Sequence, residues 1–436
     1  MALELFRKKV LSKDLKVGVI GLGYVGLPLA MAFAKNGYSV TGIDLDERKV
    51  AALNRGRSYI LDVPSADVAA MTARRRFRAT GDYKALSGAD AIIICVPTPL
   101  SKTKEPDISF VIDATRRISQ ILRRGQLVVL ESTTYPGTTE EVMLPILERS
   151  KGLRVERDFF LAFSPERVDP GNKVYDTVSI PKVVGGAGRR STTAVKLLYG
   201  SVIRTIVPVS SARAAEMVKL LENTFRSVNI GLINEIALLS HRLGINIWEV
   251  IEAAKTKPFG FMAFYPGPGL GGHCLPIDPL YLSWKSRLHG YEARMIELAA
   301  SINEAMPAHV VERVTHLLNE RKIPMKGASV LVLGVAYKRD IDDPRQSPAI
   351  EVIAHLRRAG ADVCYADPHL KTLDVDAARF TARRPVPALL KKQDCAVIVT
   401  DHTAFDYASI VKYSKLVLDT RNVLRRYRGR PNVRFL

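Results

Sequence analysis

Lys16-Val-Gly-Val-Ile-Gly21-Leu-Gly23-Tyr24-Val25-Gly26-Leu-Pro28 is the stretch that decides the fold of this chain. Val17 to Ile20 read as a short buried strand, and Gly21, Gly23 and Gly26 follow it in G-x-G-x-x-G spacing. A helix is expected from Val25 to Lys35, stopped at Asn36-Gly37, and a second strand from Tyr38 to Ile43 delivers Asp44. In such a turn the first glycine allows the tight bend, the second lets a pyrophosphate approach, and the third lets helix and strand pack closely. The helix amino terminus then faces the phosphates. Tyr24 and Val25 lie inside the turn and complete the expected cofactor contacts. Asp44, 23 residues after Gly21, can accept from both ribose hydroxyls and would repel a 2′-phosphate, so NAD is expected over NADP. Arg48 is near enough in sequence to soften that repulsion.

Outward from this turn, strand and helix patterns alternate as in a doubly wound sheet up to about Val209. The strand signals are VGVIG, SVTGID, AIIICV, LVVLES, FLAFS and TIVPV. From Ser210 a helical pattern runs unbroken by proline to Leu243, with Gly244 as its stop. At 1.5 Å per residue it is on the order of 50 Å long. That suits a bridge between domains and a dimer surface. Helical pattern resumes from Glu292 to Arg321, with an interruption expected at Pro307, and Ile323-Pro324 reads as a linker. A third block repeats the first in reduced form: a strand from Ser329 to Gly334, a helix from Ser347 to Ala359, and a strand from Ala361 to Asp367. Here Gly334 has no G-x-G-x-x-G partners, and Lys338 and Arg345 fall where a phosphate or carboxylate could be met. The expected architecture is α/β, with two Rossmann-like doubly wound domains joined by a long central helix. Its parts are residues 1–209 for NAD, 210–322 for the central helices, and 323–436 for a second ligand.

Gly271-Gly-His273-Cys274-Leu-Pro-Ile-Asp278-Pro279 carries the reactive chemistry. It sets one thiol four residues before a carboxylate, in a loop that Pro266, Gly267, Pro268 and Gly269 open. Glycines admit a crowded ligand, and prolines shape a loop without ladder bonds. Cys274 is therefore a candidate nucleophile, the bland alternative being a buried loop thiol. Cys95, Cys364 and Cys395 lie in apolar strand-like runs and read as small core residues. Four cysteines without a C-x-x-C pair give neither a zinc site nor a disulfide framework, so no metal is expected and the cytoplasm is the expected compartment. No apolar run approaches the ~20 residues of a membrane span. The net charge of +20 is scattered, with clusters at Arg74-Arg75-Arg76 and Arg425-Arg426-Tyr427-Arg428, neither of which has the repeated aromatics of a single-strand groove. It reads as solvated surface with an attraction for phosphate-bearing ligands, not as a specific nucleic-acid or membrane site.

The set GLGYVGLP, CVPTP (Cys95 to Pro99), EST (Glu131 to Thr133), SPER (Ser164 to Arg167), MVKLLEN (Met217 to Asn223), GGHCLPIDP and GVAYK (Gly334 to Lys338) resembles the nucleotide-sugar dehydrogenase family, which includes the UDP-glucose and GDP-mannose enzymes. The resemblance spans nearly the whole chain in motif order. It implies NAD in the first domain, a UDP-sugar substrate and a homodimer through the central helix, with a higher assembly left open. It also implies oxidation of the sugar's C6 hydroxyl to a carboxylate through a thiohemiacetal and thioester on Cys274. Lys219 and Asn223, four apart on one helix face, would stabilise the oxyanion. Asp278 would move protons at C6, Glu166 would orient the hydrolytic water, and Thr133 would hold a water or hydroxyl near the nicotinamide. Val96, Thr98, Glu131, Ser132 and Thr133 sit at strand carboxyl ends, where cofactor binds in such sheets. Lys338 and Arg421 resemble contacts to the nucleotide, while Arg167, Phe264, Tyr265 and Gly271 would complete the substrate site. SPERVDPGN and GGHC are most like the branch that acts on UDP-N-acetylhexosamines, above all on UDP-N-acetylglucosamine, for surface polysaccharides, with UDP-glucose, UDP-N-acetylmannosamine and UDP-N-acetylgalactosamine as the alternative substrates. Phe259, Phe261, Met262 and Phe264 would offer an acetyl methyl an apolar lining. A single-step hydroxy-acid dehydrogenase or a binding-only Rossmann protein would not need Cys274.

Overall fold

The computed structural model describes residues 2–60, 62–101, 105–167, 177–272 and 275–436. His273 and Cys274 lie outside the described residues. Contacts divide the chain into two compact units, one of Met1–Glu222 with Trp284–Tyr291, the other of Asn223–Ser283 with Glu292–Leu436.

The first unit is built on eight strands: β1 Lys16–Ile20, β2 Ser39–Ile43, β3 Phe77–Thr80, β4 Ala91–Ile94, β5 Leu127–Leu130, β6 Phe160–Phe163, β7 Lys182–Gly186 and β8 Ile206–Pro208. They lie in the order β3-β2-β1-β4-β5-β6-β7-β8, all parallel except that β7 runs against β6. β1 is central because both its faces are apolar. Val17 and Val19 pack with Phe33 and Tyr199 on one side, and Ile20 packs with Ile92 and Ile94 on the other. Strands buried on both faces are what crossover helices require. The strand order reverses between β1 and β4, which places the ligand crevice at their carboxyl ends. β3 and β7 gave no strand signal in the sequence. β3 is four residues long with Arg78 exposed, and three of the five residues of β7 are glycine or lysine.

The second unit holds β9 Ser329–Leu333, β10 Asp362–Ala366, β11 Thr372–Val375, β12 Ala378–Thr381, β13 Cys395–Ile398, β14 Val417–Asp419 and β15 Val433–Phe435. Five of them form a parallel sheet, β10-β9-β13-β14-β15, whose order again reverses beside its first strand, while β11 and β12 make a separate antiparallel pair. Both sheets are therefore Rossmann-like and doubly wound, as the sequence implied.

The expected long helix is Ala212–Arg242, 31 residues and about 46 Å. The boundary between the two units falls inside it, at Glu222–Asn223. Pro307 does not interrupt the later helix, which runs unbroken as Arg294–Asn319. A proline there forfeits the bond to the carbonyl of Asn303. The Asn303 side chain offsets this by tying the helix to its neighbour: its amide donates to Ser227 O at 3.1 Å and its oxygen accepts from Asn234 at 2.9 Å. Among the described residues no helix is long and apolar enough to cross a membrane.

Candidate active site

In the first unit the three glycines of the turn meet three different demands. Gly21 has φ +89°, and a Cβ on it would lie 2.4 Å from the carbonyl oxygen of Cys95. A Cβ on Gly26 would lie 1.9 Å from Gly21 O, so helix and turn touch there. Gly23 faces open space, with nothing within 4 Å of its notional Cβ. The helix Gly26–Lys35 starts without a side-chain cap, which leaves its first amides to whatever fills that space. Asp44 Oδ2 accepts from Leu22 N at 3.1 Å, and Tyr59 donates to Leu22 O at 2.6 Å, so the peptides on both sides of Leu22 are pinned. This cradle fits a dinucleotide. Tyr24 stands exposed beside it. Arg48 does not serve Asp44, because its guanidinium forks onto Asp46 at 3.0 and 3.1 Å. The cation near Asp44 is Lys49, 3.6 Å away, which the sequence reading passed over.

The loops after β4 and β5 are stitched by hydroxyls. Ser132 donates to Val96 O at 2.7 Å, and Thr98 donates to Thr133 O at 2.7 Å. Glu131, expected at a ligand-binding strand end, is turned inward and is 1% exposed. It accepts from Lys182 and, at 2.5 Å, from Tyr199. Burial raises its acid constant to about 7 although Lys182 pulls it down. Nothing local in the sequence pairs Glu131 with a lysine 51 residues away. Glu166 stands half-buried after β6, with Oε1 on Arg167 N at 2.8 Å and Oε2 3.6 Å from Lys182 Nζ. Lys219 Nζ, buried, donates to Glu166 O at 2.6 Å. Arg167 is engaged with Glu222 at 2.6 Å and Pro181 O at 2.7 Å.

In the second unit Asn223 donates to Asp278 Oδ2 at 2.5 Å, with both side chains out of water. The loop leading to Cys274 is held from three sides. Gly267 N donates to Asn234 Oδ1 at 3.0 Å. A Cβ on Gly267 would lie 2.8 Å from Arg421 Nη1, and one on Gly271 would lie 2.8 Å from the Tyr337 Cβ. Arg421 also gives its Nε to Val399 O at 2.8 Å, and burial lowers its acid constant to about 10. Lys338 adjoins Tyr337 in the same turn and is half-buried. Arg345 is forked onto Asp343 at 2.8 and 2.6 Å. Phe264 packs edge-on against Phe225, and Tyr265 stacks on Trp248 while donating to Glu252 at 3.0 Å. The expected apolar lining is not assembled in this unit: Phe259 is 71% and Met262 64% exposed. Asp340, His369 and His402 approach one another as metal ligands would. However, His402 Nε2 faces Asp367 at 3.0 Å and Nδ1 takes the amide of Asp340 at 2.9 Å, so both ring nitrogens are spent.

Comparison with known proteins places this geometry. Residues 15–203, 213–305 and 331–426 match the sequence profiles of the NAD binding, central and UDP binding domains of the UDP-glucose/GDP-mannose dehydrogenase family. The UDP-N-acetyl-D-mannosamine dehydrogenase of Pyrococcus horikoshii is 37% identical over 418 residues, 94% of this chain and 96% of that protein. The UDP-N-acetyl-D-glucosamine 6-dehydrogenase of Pseudomonas aeruginosa is 38% identical over 363 residues, 83% of this chain and 85% of that one. A solved structure of the Pyrococcus horikoshii UDP-D-ManNAc enzyme superposes with a TM-score of 0.89 at 36% identity, covering 97% of this chain and 99% of the other.

Proposed function

The chain belongs to the UDP-glucose/GDP-mannose dehydrogenase family, and from that premise we propose that it oxidises C6 of a UDP-N-acetylhexosamine, UDP-N-acetylglucosamine in the first place, to the uronic acid. It is an NAD-dependent oxidoreductase acting on a UDP-sugar. The three spans 1–209, 210–322 and 323–436 are read as its cofactor, central and nucleotide parts. The observation that carries the chemistry is the buried Asn223–Asp278 pair, whose acid lies four residues beyond Cys274.

Gly21, Gly23, Gly26 and Asp44 would hold NAD, with Val96, Thr98, Ser132 and Thr133 lining the same crevice. Bound in that crevice, NAD would supply the hydride acceptor, one NAD being consumed for each of the two oxidations at C6. The residues supply the rest. Asp278, oriented by Asn223, takes the proton of the C6 hydroxyl. The Cys274 thiolate adds to the aldehyde, which keeps that intermediate from escaping. Lys219, a fixed ammonium held on a carbonyl, stabilises the oxyanion. Glu166 takes a proton from the water that cleaves the resulting thioester. Lys338 and Arg421 would contact the diphosphate and uridine side, and Gly271 lets the cysteine loop approach Tyr337 beside Lys338. Two of the relatives above act on UDP-N-acetylhexosamines by name, which supports the acetylated sugar.

Phe225, Leu232 and Leu239 stand exposed at spacings of seven on the long helix. A second copy of the chain covering them would give a homodimer, which light scattering would measure. The free thiols of Cys95, Cys364 and Cys395 suit the cytoplasm, where the uronic acid would enter surface polysaccharide synthesis. The deciding assay offers NAD with UDP-N-acetylglucosamine, its mannosamine and galactosamine counterparts and UDP-glucose, and weighs the product. Two NADH per UDP-N-acetylglucosamine, with UDP-glucose at least about tenfold poorer, is expected. Best turnover of UDP-glucose would overturn the acetylated substrate, and one NADH per sugar would overturn the cysteine route.

A further inference from the structure

The first unit encloses ionisable side chains from four separate elements at the carboxyl ends of its strands. Glu131 follows β5, Glu166 follows β6, Lys182 opens β7, and Tyr199 lies on the helix Arg189–Gly200. Lys182 bridges the two acids, bonded to Glu131 and 3.6 Å from Glu166 Oε2. Tyr199 donates to the remaining oxygen of Glu131. The neighbouring Glu166 carboxyl raises Glu131 further. Among the described residues two more groups face this cluster: Cys95, whose thiol burial pushes far up, and Lys219, whose ammonium donates to Glu166 O at 2.6 Å. An ion set this deeply buried adds little stability over apolar residues of the same volume, since each ion forfeits several kcal/mol of hydration. What distinguishes it is that one member, Glu166, reaches the half-buried loop where substrate chemistry is placed.

We propose that Lys182 is a positioning residue, which fixes Glu166 as the base of the hydrolytic step and links it to Glu131 as the next proton acceptor. The proposal rests on the reading of Glu166 given above. In that step a water oxygen bonds to the thioester carbon, the C–S bond breaks, and its electron pair leaves on the Cys274 sulfur as thiolate. The water's proton goes to Glu166 and onward to Glu131, whose acid constant of about 7 is matched to receive it.

The test follows covalent adduct by intact mass during turnover, together with the pH profile of kcat. Lys182→Met should lower kcat about a hundredfold, let the thioester accumulate, and move the acid limb to higher pH, because Glu166 loses a cationic neighbour. Glu131→Gln should move that limb to lower pH, because it removes the carboxyl that takes up its proton at about pH 7 and that, once ionised, repels the Glu166 carboxylate. Lys182→Arg should restore adduct-free turnover. Opposite displacements from the two substitutions are the signature, and Glu131→Gln with Lys182→Arg carries the test if Lys182→Met does not fold. A kcat loss without adduct and with unmoved limbs would reduce the cluster to packing and overturn the proposal. Glu166→Gln separates the two ideas: adduct in that variant with none in Lys182→Met refutes only Lys182. Wild-type turnover of Glu166→Gln would refute the base itself.

Discussion

Tyr337 leaves no room for a side chain on Gly272: a Cβ there would stand 2.9 Å from Tyr337 Cε2, and the glycine has φ +84°. The backbone that enters the cysteine loop is thus pressed against the GVAYK turn of the second sheet. Gly272→Ala should cost roughly 1–3 kcal/mol of strain besides displacing the ring. The expected outcome is a large fall in kcat with NAD affinity unchanged, read by turnover and by calorimetric titration of NAD. An alanine variant with wild-type kcat would show that the loop does not need this approach.

Cys274→Ala should abolish acid formation while NAD binding persists, since the thiol supplies a covalent step and no cofactor contact. Cys274→Ser should slow turnover severely and leave an ester-level adduct visible by mass, because an alkoxide departs less readily than a thiolate. Full acid production by the alanine variant would remove the thioester route.

Preference for NAD over NADP should be at least about tenfold in kcat/KM, or about 1.4 kcal/mol. Asp44 supplies it, and Lys49 at 3.6 Å limits it. Asp44→Ala should therefore shrink the preference by lowering NAD efficiency, and Lys49→Ala should widen it. Arg48→Ala should leave the ratio where it was, since that guanidinium belongs to Asp46. Kinetics with both cofactors decide among these, and a ratio that follows Arg48 would refute the assignment.

Glu216 is buried under the turn after β5, accepting from Gly137 N at 2.6 Å and from Thr139 N at 2.9 Å. Burial nevertheless raises its acid constant from 4.5 to about 7. The folded protein then holds a proton that the unfolded chain has released. Its contribution to stability is full below 4.5 and falls as pH rises through about 7. Thermal melts across that window should show Tm declining toward neutral pH, with a shallower decline in Glu216→Gln. Parallel curves for the two proteins would refute the assignment.

The sequence disclosed what depends on neighbours in the chain. Gly21, Gly23, Gly26 and Asp44 are legible because a turn, a helix start and a strand end fall within thirty residues. The long helix is legible from its unbroken period. Hidden were the pairings that only folding creates: Lys182 with Glu131, Lys49 in place of Arg48 beside Asp44, and Asn303 bonding across to Ser227 and Asn234. Pro307 was misread for the same reason, since tertiary bonds around it outweigh the one it removes. Phe259 and Met262 look like a pocket in sequence because they are apolar and clustered, yet apolar character does not say which side of a loop faces water.

The open space at Gly23 has an evolutionary meaning. A methyl group on Gly21 or Gly26 collides with backbone and would be rejected by folding itself, whereas one on Gly23 meets no described atom within 4 Å and would press only on a pyrophosphate held in that space. A single-base change to alanine at that codon would therefore leave a chain that folds, persists in the cell and still presents its nucleotide-binding half, but no longer turns over. Gly23 is thus a position where one substitution would separate turnover from folding, and where selection for stability alone would not notice the loss.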